Sequence, residues 1–196
     1  IDDHSPVRHA LGEMLNVFGF EVECYESALD FLDADRQRQP GCIVADVRMP
    51  GMDGIELVRE LKRRNRPVPV VLISGHANVV MAVAAIKAGA QDFIEKPVDD
   101  VQLVAAINRS LSLTAKGDAF LGSKPELADR FARLTPRQAE VFDLVVQGYS
   151  SQAISSLLSL SPRTVESYRA AIMEKMQAES VAVLVRQAIR IGRIAP

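Results

Sequence analysis

Two hydrophobic patterns alternate regularly along the front of the chain. Short apolar runs closed by turn residues, at 41–46 and 69–74, are typical of buried strands. The intervening segment 54–65 instead repeats its apolar residues at helical spacing. Strands that alternate with helices of about ten residues predict βαβ units, and hence a parallel sheet with helices on its faces.

Extended over residues 1–113, this alternation predicts a doubly wound α/β domain with a five-stranded parallel sheet. Ile1 is expected to be the last residue of a first strand that begins upstream, and Ser5 with Pro6 to cap the first helix. The other predicted strands cover 20–25, 41–46, 69–74 and 92–95, and the predicted helices cover 5–18, 27–35, 54–65, 79–88 and 99–113.

From position 114 onward every predicted element is a helix. Residues 114–133 contain Gly117, Gly122 and Pro125 without a long apolar period, so they form a linker that can be helical from Pro125. Residues 134–196 hold four short helices separated by tight turns, which indicates an all-α helix-turn-helix domain. The expected caps are Thr135, in a capping box with Gln138, then Ser150 or Ser151, Ser161 and Ser180.

Composition limits the class of protein without giving a function. The 196 residues are 48% hydrophobic and 24% charged, and no apolar stretch reaches the ~18 residues of a membrane-spanning helix. Cys24 and Cys42 each lie in a mostly apolar run, which favours reduced core thiols over a disulfide. Since no secretory segment is recognisable, we expect a cytoplasmic protein with no membrane partner.

The net charge of −2 is unevenly distributed. Residues 1–113 carry 12 basic and 17 acidic groups, whereas residues 134–196 carry 7 basic and 5 acidic groups. An acidic front and a mildly basic rear fit two domains with different partners. The small basic excess of residues 134–196 indicates nucleic-acid binding only weakly, because domains that bind nucleic acid usually carry a strongly basic patch.

Five polar residues fall at the carboxyl ends of the predicted strands. Asp2 and Asp3 follow the first strand, Asp46 ends the third, and Ser74 and Lys96 end the fourth and fifth. In a doubly wound sheet these ends share one edge, where ligands bind. Three carboxylates there repel one another unless a cation neutralises them, and Mg²⁺ suits an all-oxygen site that also binds phosphate. The pattern predicts that Asp46 accepts a phosphoryl group.

Taken singly, each of these residues has a simpler structural interpretation. A strand-end aspartate or serine is usually a helix cap, and a Lys-Pro dipeptide is usually a turn. Their joint placement at one edge is what favours chemistry over structure.

The motifs at these positions resemble those of the receiver domain of two-component response regulators. They are the Asp2-Asp3 pair, the run Asp-Val-Arg-Met-Pro-Gly-Met-Asp-Gly from Asp46, Ser74-Gly75-His76, and Asp-Phe-Ile-Glu-Lys-Pro from Asp92. The resemblance covers about residues 1–113 and implies a flavodoxin-like fold. It implies Asp46 as phosphoacceptor, Asp2, Asp3, Asp46 and the Arg48 backbone carbonyl as Mg²⁺ ligands, and Ser74, Phe93 and Lys96 as switch residues.

Two positions depart from the usual receiver pattern. Ser74 replaces the commoner threonine, which is a permitted variant, and His4 stands where many relatives carry another acid. A phosphoryl group adds a charge of about −2 that Ser74 and Lys96 can bond only if their loops move, which favours a minor conformer. We expect the change to affect the helix at 79–88, the strand before Lys96 and the helix at 99–113.

The rear domain has a candidate DNA interface of its own. The helix entered through Ser161 and Pro162 follows a short turn, so it can project into a major groove with its positive end near phosphate. Arg163, Arg169 and Lys175 add charge, and the expected core residues are Ala153, Ile154, Leu157, Val165 and Ile172. On this pattern alone, a helical dimerisation module stays open as an alternative.

The rear motifs resemble a LuxR-type helix-turn-helix, and the whole chain resembles the FixJ branch of the NarL/FixJ response regulators. The matching residues are 134–137 (Leu-Thr-Pro-Arg), Glu140-Val141, Gly148, Ile154, 161–166 and Lys175-Met176. The resemblance places Glu166, Ser167 and Ala170 toward base edges, and Gln152, Arg163, Thr164, Tyr168 and Arg169 toward the DNA backbone. Relatives usually have Asn-Lys in place of Ser151-Gln152, so one phosphate contact is lost and a shallower salt dependence follows.

The resemblance implies a transcription factor activated when a sensor histidine kinase phosphorylates Asp46. Its implied partners are that kinase, double-stranded promoter DNA, RNA polymerase and a second copy of the chain after activation, with Mg²⁺ as cofactor. The segment 180–192 has an apolar stripe that is either core or a two-fold contact.

Two other functional classes explain part of the sequence. Haloacid dehalogenase-type phosphotransferases also use a strand-end aspartate, but they typically carry a second acid two residues later, where this chain has Arg48. We therefore expect no enzyme activity beyond self-phosphorylation from phosphodonors and slow self-dephosphorylation. In the second class the receiver is only a phosphorylation-independent dimerisation scaffold for DNA binding, which the complete set of pocket residues disfavours.

The variant Asp46→Asn is predicted to abolish phosphorylation by acetyl phosphate, because it lacks the carboxylate oxygen that attacks phosphorus. The yield of phosphoprotein measures the effect, and an unchanged yield would contradict the assignment of Asp46.

Overall fold

A computed structural model describes residues 1–34, 40–66, 68–75, 78–116 and 121–195, with the side chains of 113–116 excepted. Its elements are α1 (Ser5–Val17), α2 (Ala28–Ala34), β1 (Ile43–Asp46), α3 (Gly54–Arg63), β2 (Val70–Ser74), α4 (Val79–Ala88), β3 (Asp92–Glu95), α5 (Asp100–Lys116), α6 (Lys124–Ala132), α7 (Pro136–Gln147), α8 (Ser151–Leu158), α9 (Pro162–Met176) and α10 (Val181–Arg190). His76, which belongs to one of the receiver-like motifs, lies outside the described residues.

The chain divides into two compact units. The first contains Ile1–Ala77 and Ala88–Gly117, and the second contains Asn78–Lys87 and Asp118–Pro196. Almost all of α4 therefore belongs to the same unit as α6 to α10.

The first unit is built on a sheet of short apolar strands. β1, β2 and β3 are parallel and lie in that order, with Ala45 beside Leu72 and Leu72 beside Phe93. All residues of β2 are buried, as expected for a central strand that is covered on both faces.

Helices cover both faces of this sheet. Leu15 of α1 and Leu103 of α5 share one core cluster with Val71 and Ile73 of β2. Because successive side chains of a strand point to opposite faces, Leu72 lies on the other side, against the start of α3. This arrangement confirms the predicted doubly wound α/β class.

The structure differs from the prediction at the second strand, where residues 20–25 form no strand. Ile1 does join β1: its carbonyl accepts from the Asp46 N–H at 2.9 Å, and its amino group donates to the Val44 carbonyl at 2.7 Å. The Asp2 N–H donates to the Tyr25 carbonyl at 3.2 Å on the other side. One residue bonded to β1 and one bond to Tyr25 are too few for a ladder, so three of the five predicted strands form the sheet within the described residues.

Helix starts follow the predicted caps in the second unit and miss by one residue in α1. The N-cap of α1 is His4 rather than Ser5, because the Asp2 carboxylate accepts the His4 N–H at 2.9 Å and begins the turn earlier. The predicted linker contains a helix, α6, whose start is closed by a capping box of Ser123 and Glu126. The caps predicted at Thr135, Ser150, Ser161 and Ser180 are confirmed.

The second unit has its own apolar core, which includes Val165 and Ile172 on the inner face of α9. Leu157, predicted as core, is 58% exposed, because Ile154 and Ser155 already occupy the inward positions of the short helix α8. Six of the ten residues of α10 are buried in the single chain, so its apolar stripe serves as core.

Within the described ranges, no helix combines the length and the apolar content that a membrane-spanning segment requires.

Gly54, the first residue of α3, is predicted to be needed for full stability of the fold. A Cβ at this position would lie 2.4 Å from the Asp46 carbonyl oxygen and 3.1 Å from the Val47 Cα, so the backbone would have to move. We expect Gly54→Ala to lower the free energy of unfolding by roughly 2–3 kcal/mol in urea titrations. The matched control is Gly75→Ala, because a Cβ at Gly75 would meet no heavy atom of the described residues within 4 Å. Equal effects of the two substitutions would contradict this packing argument.

Candidate functional site

Three carboxylates converge at the carboxyl end of β1. One oxygen from each of Asp2, Asp3 and Asp46 lies within 4.8 Å of the others. Asp2 is 2% exposed and Asp46 is 8% exposed, whereas Asp3 is open to solvent. The sheet brings them together because Ile1 bonds to β1, which places the next two residues beside the end of that strand. We call these three residues, with Ser74 and Lys96, the acidic pocket.

Lys96 follows β3 and reaches the same carboxylates. Its Nζ donates to the Asp2 carboxylate at 2.8 Å and lies 3.3 Å from the Asp46 carboxylate. The Lys96 backbone N–H donates to the Ser74 carbonyl at 2.8 Å, which fixes the residue to the end of β2. One ammonium group therefore bridges two of the three carboxylates.

The pKa values of Asp46 and Lys96 reflect their burial first and then the charges around them. Burial raises the pKa of Asp46 above its ordinary value, and the nearby Asp2 adds to the rise, while the ammonium of Lys96 only partly offsets it. Burial acting alone would lower the pKa of Lys96, but its hydrogen bond to Asp2 and the charge of Asp46 raise it overall. Lys96 thus stays charged, and the pocket lacks enough positive charge to neutralise its carboxylates.

The donor set of the pocket suits a hard divalent cation. All three clustered side chains offer carboxylate oxygens, which Mg²⁺ prefers over nitrogen or sulfur ligands. Arg48, whose backbone carbonyl is a further predicted ligand, is exposed two residues beyond β1. The residues present therefore fit the ion that the sequence predicts.

The predicted switch residues lie on neighbouring strands. Ser74 is completely buried at the end of β2, where it pairs in register with Glu95 of β3. Phe93 is 8% exposed, so its ring is already packed inside in this conformation. Both residues lie on strands that lead directly into the acidic pocket.

Arg8 is a pocket residue that the sequence patterns did not single out. From the first turns of α1, its guanidinium donates to the Asp2 carbonyl at 2.5 Å. The contact fixes the backbone that carries Asp2 and places positive charge near the carboxylates. In the sequence, only the short distance from Arg8 to the Asp2-Asp3 pair pointed to this contact. An arginine on a helix usually faces solvent, so that signal was weak.

In the second unit, α9 presents the predicted base-contacting residues on its open side. Glu166, Ser167 and Ala170 are all exposed, whereas Val165 and Ile172 on the opposite side are buried. Of the predicted backbone contacts, Gln152 and Arg163 are exposed, and Thr164, Tyr168 and Arg169 are half-buried. We call Glu166, Ser167 and Ala170 the reading residues.

Some cations of this unit are bound internally. Lys175, expected to add charge toward DNA, donates from Nζ to the Arg133 carbonyl at 3.0 Å and to the Gln138 side-chain oxygen at 2.8 Å. The Arg137 guanidinium donates to the Leu158 carbonyl at the end of α8. These charges hold helices together, which leaves fewer of them for a phosphate backbone.

Removing the charge of Asp46 is expected to stabilise the folded chain. Because the pKa of Asp46 is raised on folding, its ionised form opposes folding at pH values above that pKa. We expect Asp46→Asn to have a larger free energy of unfolding than the parent at pH 7 without divalent cations. The difference should vanish as the pH falls through the folded pKa toward the unfolded value. Urea unfolding across a pH series tests this, and a difference that grows on acidification would contradict it.

Two family matches divide the chain in the same way as its two candidate sites. Residues 1–108 match the response regulator receiver domain, and residues 132–188 match the bacterial regulatory proteins of the luxR family. The chain is 42% identical to the transcriptional regulatory protein FixJ of Bradyrhizobium diazoefficiens, over 99% of this chain and 95% of that protein. It is 37% identical to the response regulator protein TodT of Pseudomonas putida, over 97% and 84% respectively.

Solved structures give the same result. Full-length FixJ from B. japonicum matches with a TM-score of 0.56 and 40% identity, over 98% of this chain and 95% of that one. The receiver-only structure FixJ-N matches with a TM-score of 0.55 and 45% identity, over 57% of this chain and 90% of that one. The chain therefore belongs to the FixJ-like response regulators, transcription factors in which a phosphorylation-regulated receiver precedes a LuxR-type DNA-binding domain.

Proposed function

We propose that a sensor histidine kinase phosphorylates Asp46. This modification would control how the chain binds promoter DNA through α9. The observation that carries the proposal is the position of the Lys96 ammonium, 2.8 Å from Asp2 and 3.3 Å from Asp46. A cation held against an almost buried carboxylate at a strand end is suited to receive the oxygens of an incoming phosphoryl group.

The proposed reaction is an in-line transfer to a carboxylate. An Asp46 oxygen attacks phosphorus, the P–N bond of the phosphohistidine breaks, and the imidazole leaves with the electron pair. Lys96 stabilises the charge on the transferred oxygens. Asp2, Asp3, Asp46 and the Arg48 carbonyl would hold Mg²⁺, which when bound neutralises the crowded carboxylates and the phosphoryl oxygens. Self-phosphorylation from small phosphodonors and slow self-dephosphorylation are the only reactions proposed.

The acyl phosphate acts by favouring a conformer that can bond it. It adds a charge of about −2, which the Ser74 hydroxyl and the Lys96 ammonium can neutralise after their loops move. Phe93, on the strand between those loops, is proposed to follow this movement. The scaffold alternative needs none of these residues, whereas their joint arrangement supports a phosphorylation switch.

The output of the switch is proposed to be DNA binding by a homodimer that contacts RNA polymerase in the cytoplasm. The reading residues would face base edges, while Gln152, Arg163, Thr164, Tyr168 and Arg169 would face the backbone. The proposed domain limits are 1–113 for the receiver, 114–133 for the linker and 134–196 for the DNA-binding domain.

Addition of beryllofluoride with Mg²⁺ is predicted to increase both dimerisation and DNA affinity, because beryllofluoride on a carboxylate mimics the phosphoryl group. Analytical ultracentrifugation and fluorescence anisotropy measure the two responses on a duplex enriched from a random-sequence pool. Asp46→Asn should respond in neither assay, whereas the control Asp33→Asn, at an exposed position, should respond like the parent. If the parent and both variants bind DNA tightly and do not respond to beryllofluoride, the hypothesis of a phosphorylation-independent dimerisation scaffold would be favoured.

A further inference from the structure

The carboxyl end of α9 is held by side chains from two other helices. The Met176 carbonyl accepts from the Gln187 side-chain amide of α10 at 3.2 Å and from the Arg130 guanidinium of α6 at 3.3 Å. The Met176 side chain is itself fully buried. One carbonyl oxygen therefore joins α6, α9 and α10.

The backbone at this end explains why such support is useful. Gln177, which caps α9, has φ 52° and ψ 45°, in the left-handed region that favours glycine. The Gln177 N–H donates to the Glu174 carbonyl and the Ala178 N–H to the Met173 carbonyl, so the main-chain cap does not use the Met176 carbonyl. Arg130 and Gln187 bond the carbonyl that the cap leaves unused.

Gln187 is an unusual residue for its surroundings. It is 1% exposed, in a helix whose buried neighbours are alanine, valine and leucine, and its Oε1 has no hydrogen-bond partner among the described atoms. A buried, unpaired polar oxygen lowers stability, and an apolar side chain of similar shape would avoid that loss. We therefore relate the function of Gln187 to the Met176 carbonyl, to which its Nε2 group donates.

A small movement at Met176 has a large effect at the reading residues. Met176 and Glu166 are ten residues apart on α9, roughly 15 Å along its axis. A tilt of about 5° at one end displaces the other by about 1.3 Å, which is enough to break a hydrogen bond to a base. Arg130 lies ahead of the matched luxR-family range of 132–188, so this support is partly outside the helix-turn-helix match.

We infer that Arg130 and Gln187 are positioning residues for DNA recognition, which hold α9 at the angle that its base contacts require. Through Arg130, α6 becomes part of the DNA-reading apparatus rather than a passive linker. The inference rests on the proposed base contacts of Glu166 and the other reading residues.

The variants Gln187→Met and Arg130→Met test this inference in the full-length chain. Gln187→Met removes both the donor and the unpaired oxygen, so its unfolding midpoint in urea should equal or exceed that of the parent. Its affinity for a duplex enriched from a random-sequence pool should nevertheless fall roughly five- to tenfold, the effect of one lost hydrogen bond, while affinity for a scrambled duplex stays unchanged. Arg130→Met should lower the specific-to-scrambled affinity ratio by the same factor, and the loss of its charge should also lower both affinities equally.

Arg133→Met is the matched control for Arg130→Met. It removes the same charge three residues away, from a side chain that is exposed, so it should lower the affinity for both duplexes equally. Full retention of the specific-to-scrambled ratio in Gln187→Met would overturn the inference. Glu166→Ala separates that outcome from a failure of the proposed base contacts, because it should reduce the ratio only if α9 reads bases.

Discussion

The repulsion among three carboxylates at one edge of the sheet is the constraint on which the first unit depends. Asp2 and Asp46 are almost buried, and burial raises the pKa of Asp46 although the ammonium of Lys96 is near. Lys96 supplies that cation because β3 runs parallel to β2 and ends at the same edge. The pocket therefore forms but stays short of positive charge, which suits the proposed binding of a metal ion and a phosphoryl group.

Long side chains also donate hydrogen bonds to backbone carbonyls, beside the acidic pocket and at the ends of α8 and α9. Arg8 bonds the Asp2 carbonyl beside the acidic pocket, Arg137 bonds the Leu158 carbonyl before the turn into α9, and Gln187 bonds the Met176 carbonyl at its end. Each contact fixes a short irregular segment that secondary structure alone does not hold. A cation that binds a backbone carbonyl stabilises the fold and is not available to contact DNA. Lys175 is a further example.

The fold and the candidate pocket were largely predictable from local patterns. Caps at Thr135, Ser150, Ser161 and Ser180 fixed the starts of four helices, because a cap depends on residues only three positions apart. The predicted strand at 20–25 is absent, because a strand also needs a neighbour to pair with, and Asp2 donates a single backbone bond to Tyr25. Leu157 was misassigned because helical spacing does not reveal which of two similar faces a short helix buries.

The sequence by itself determined the order of the helices and of the three strands in the sheet, the five residues of the acidic pocket and the amphipathic division of α9. These follow from spacing and from the topology of parallel sheets. The tertiary structure alone decided which charges meet. It placed Lys96 against Asp2 and Asp46, turned Lys175 inward, and brought Arg130 and Gln187 to one carbonyl. These pairings join residues 11 to 94 positions apart, and no local pattern encodes them because they depend on how packed helices and strands are finally oriented.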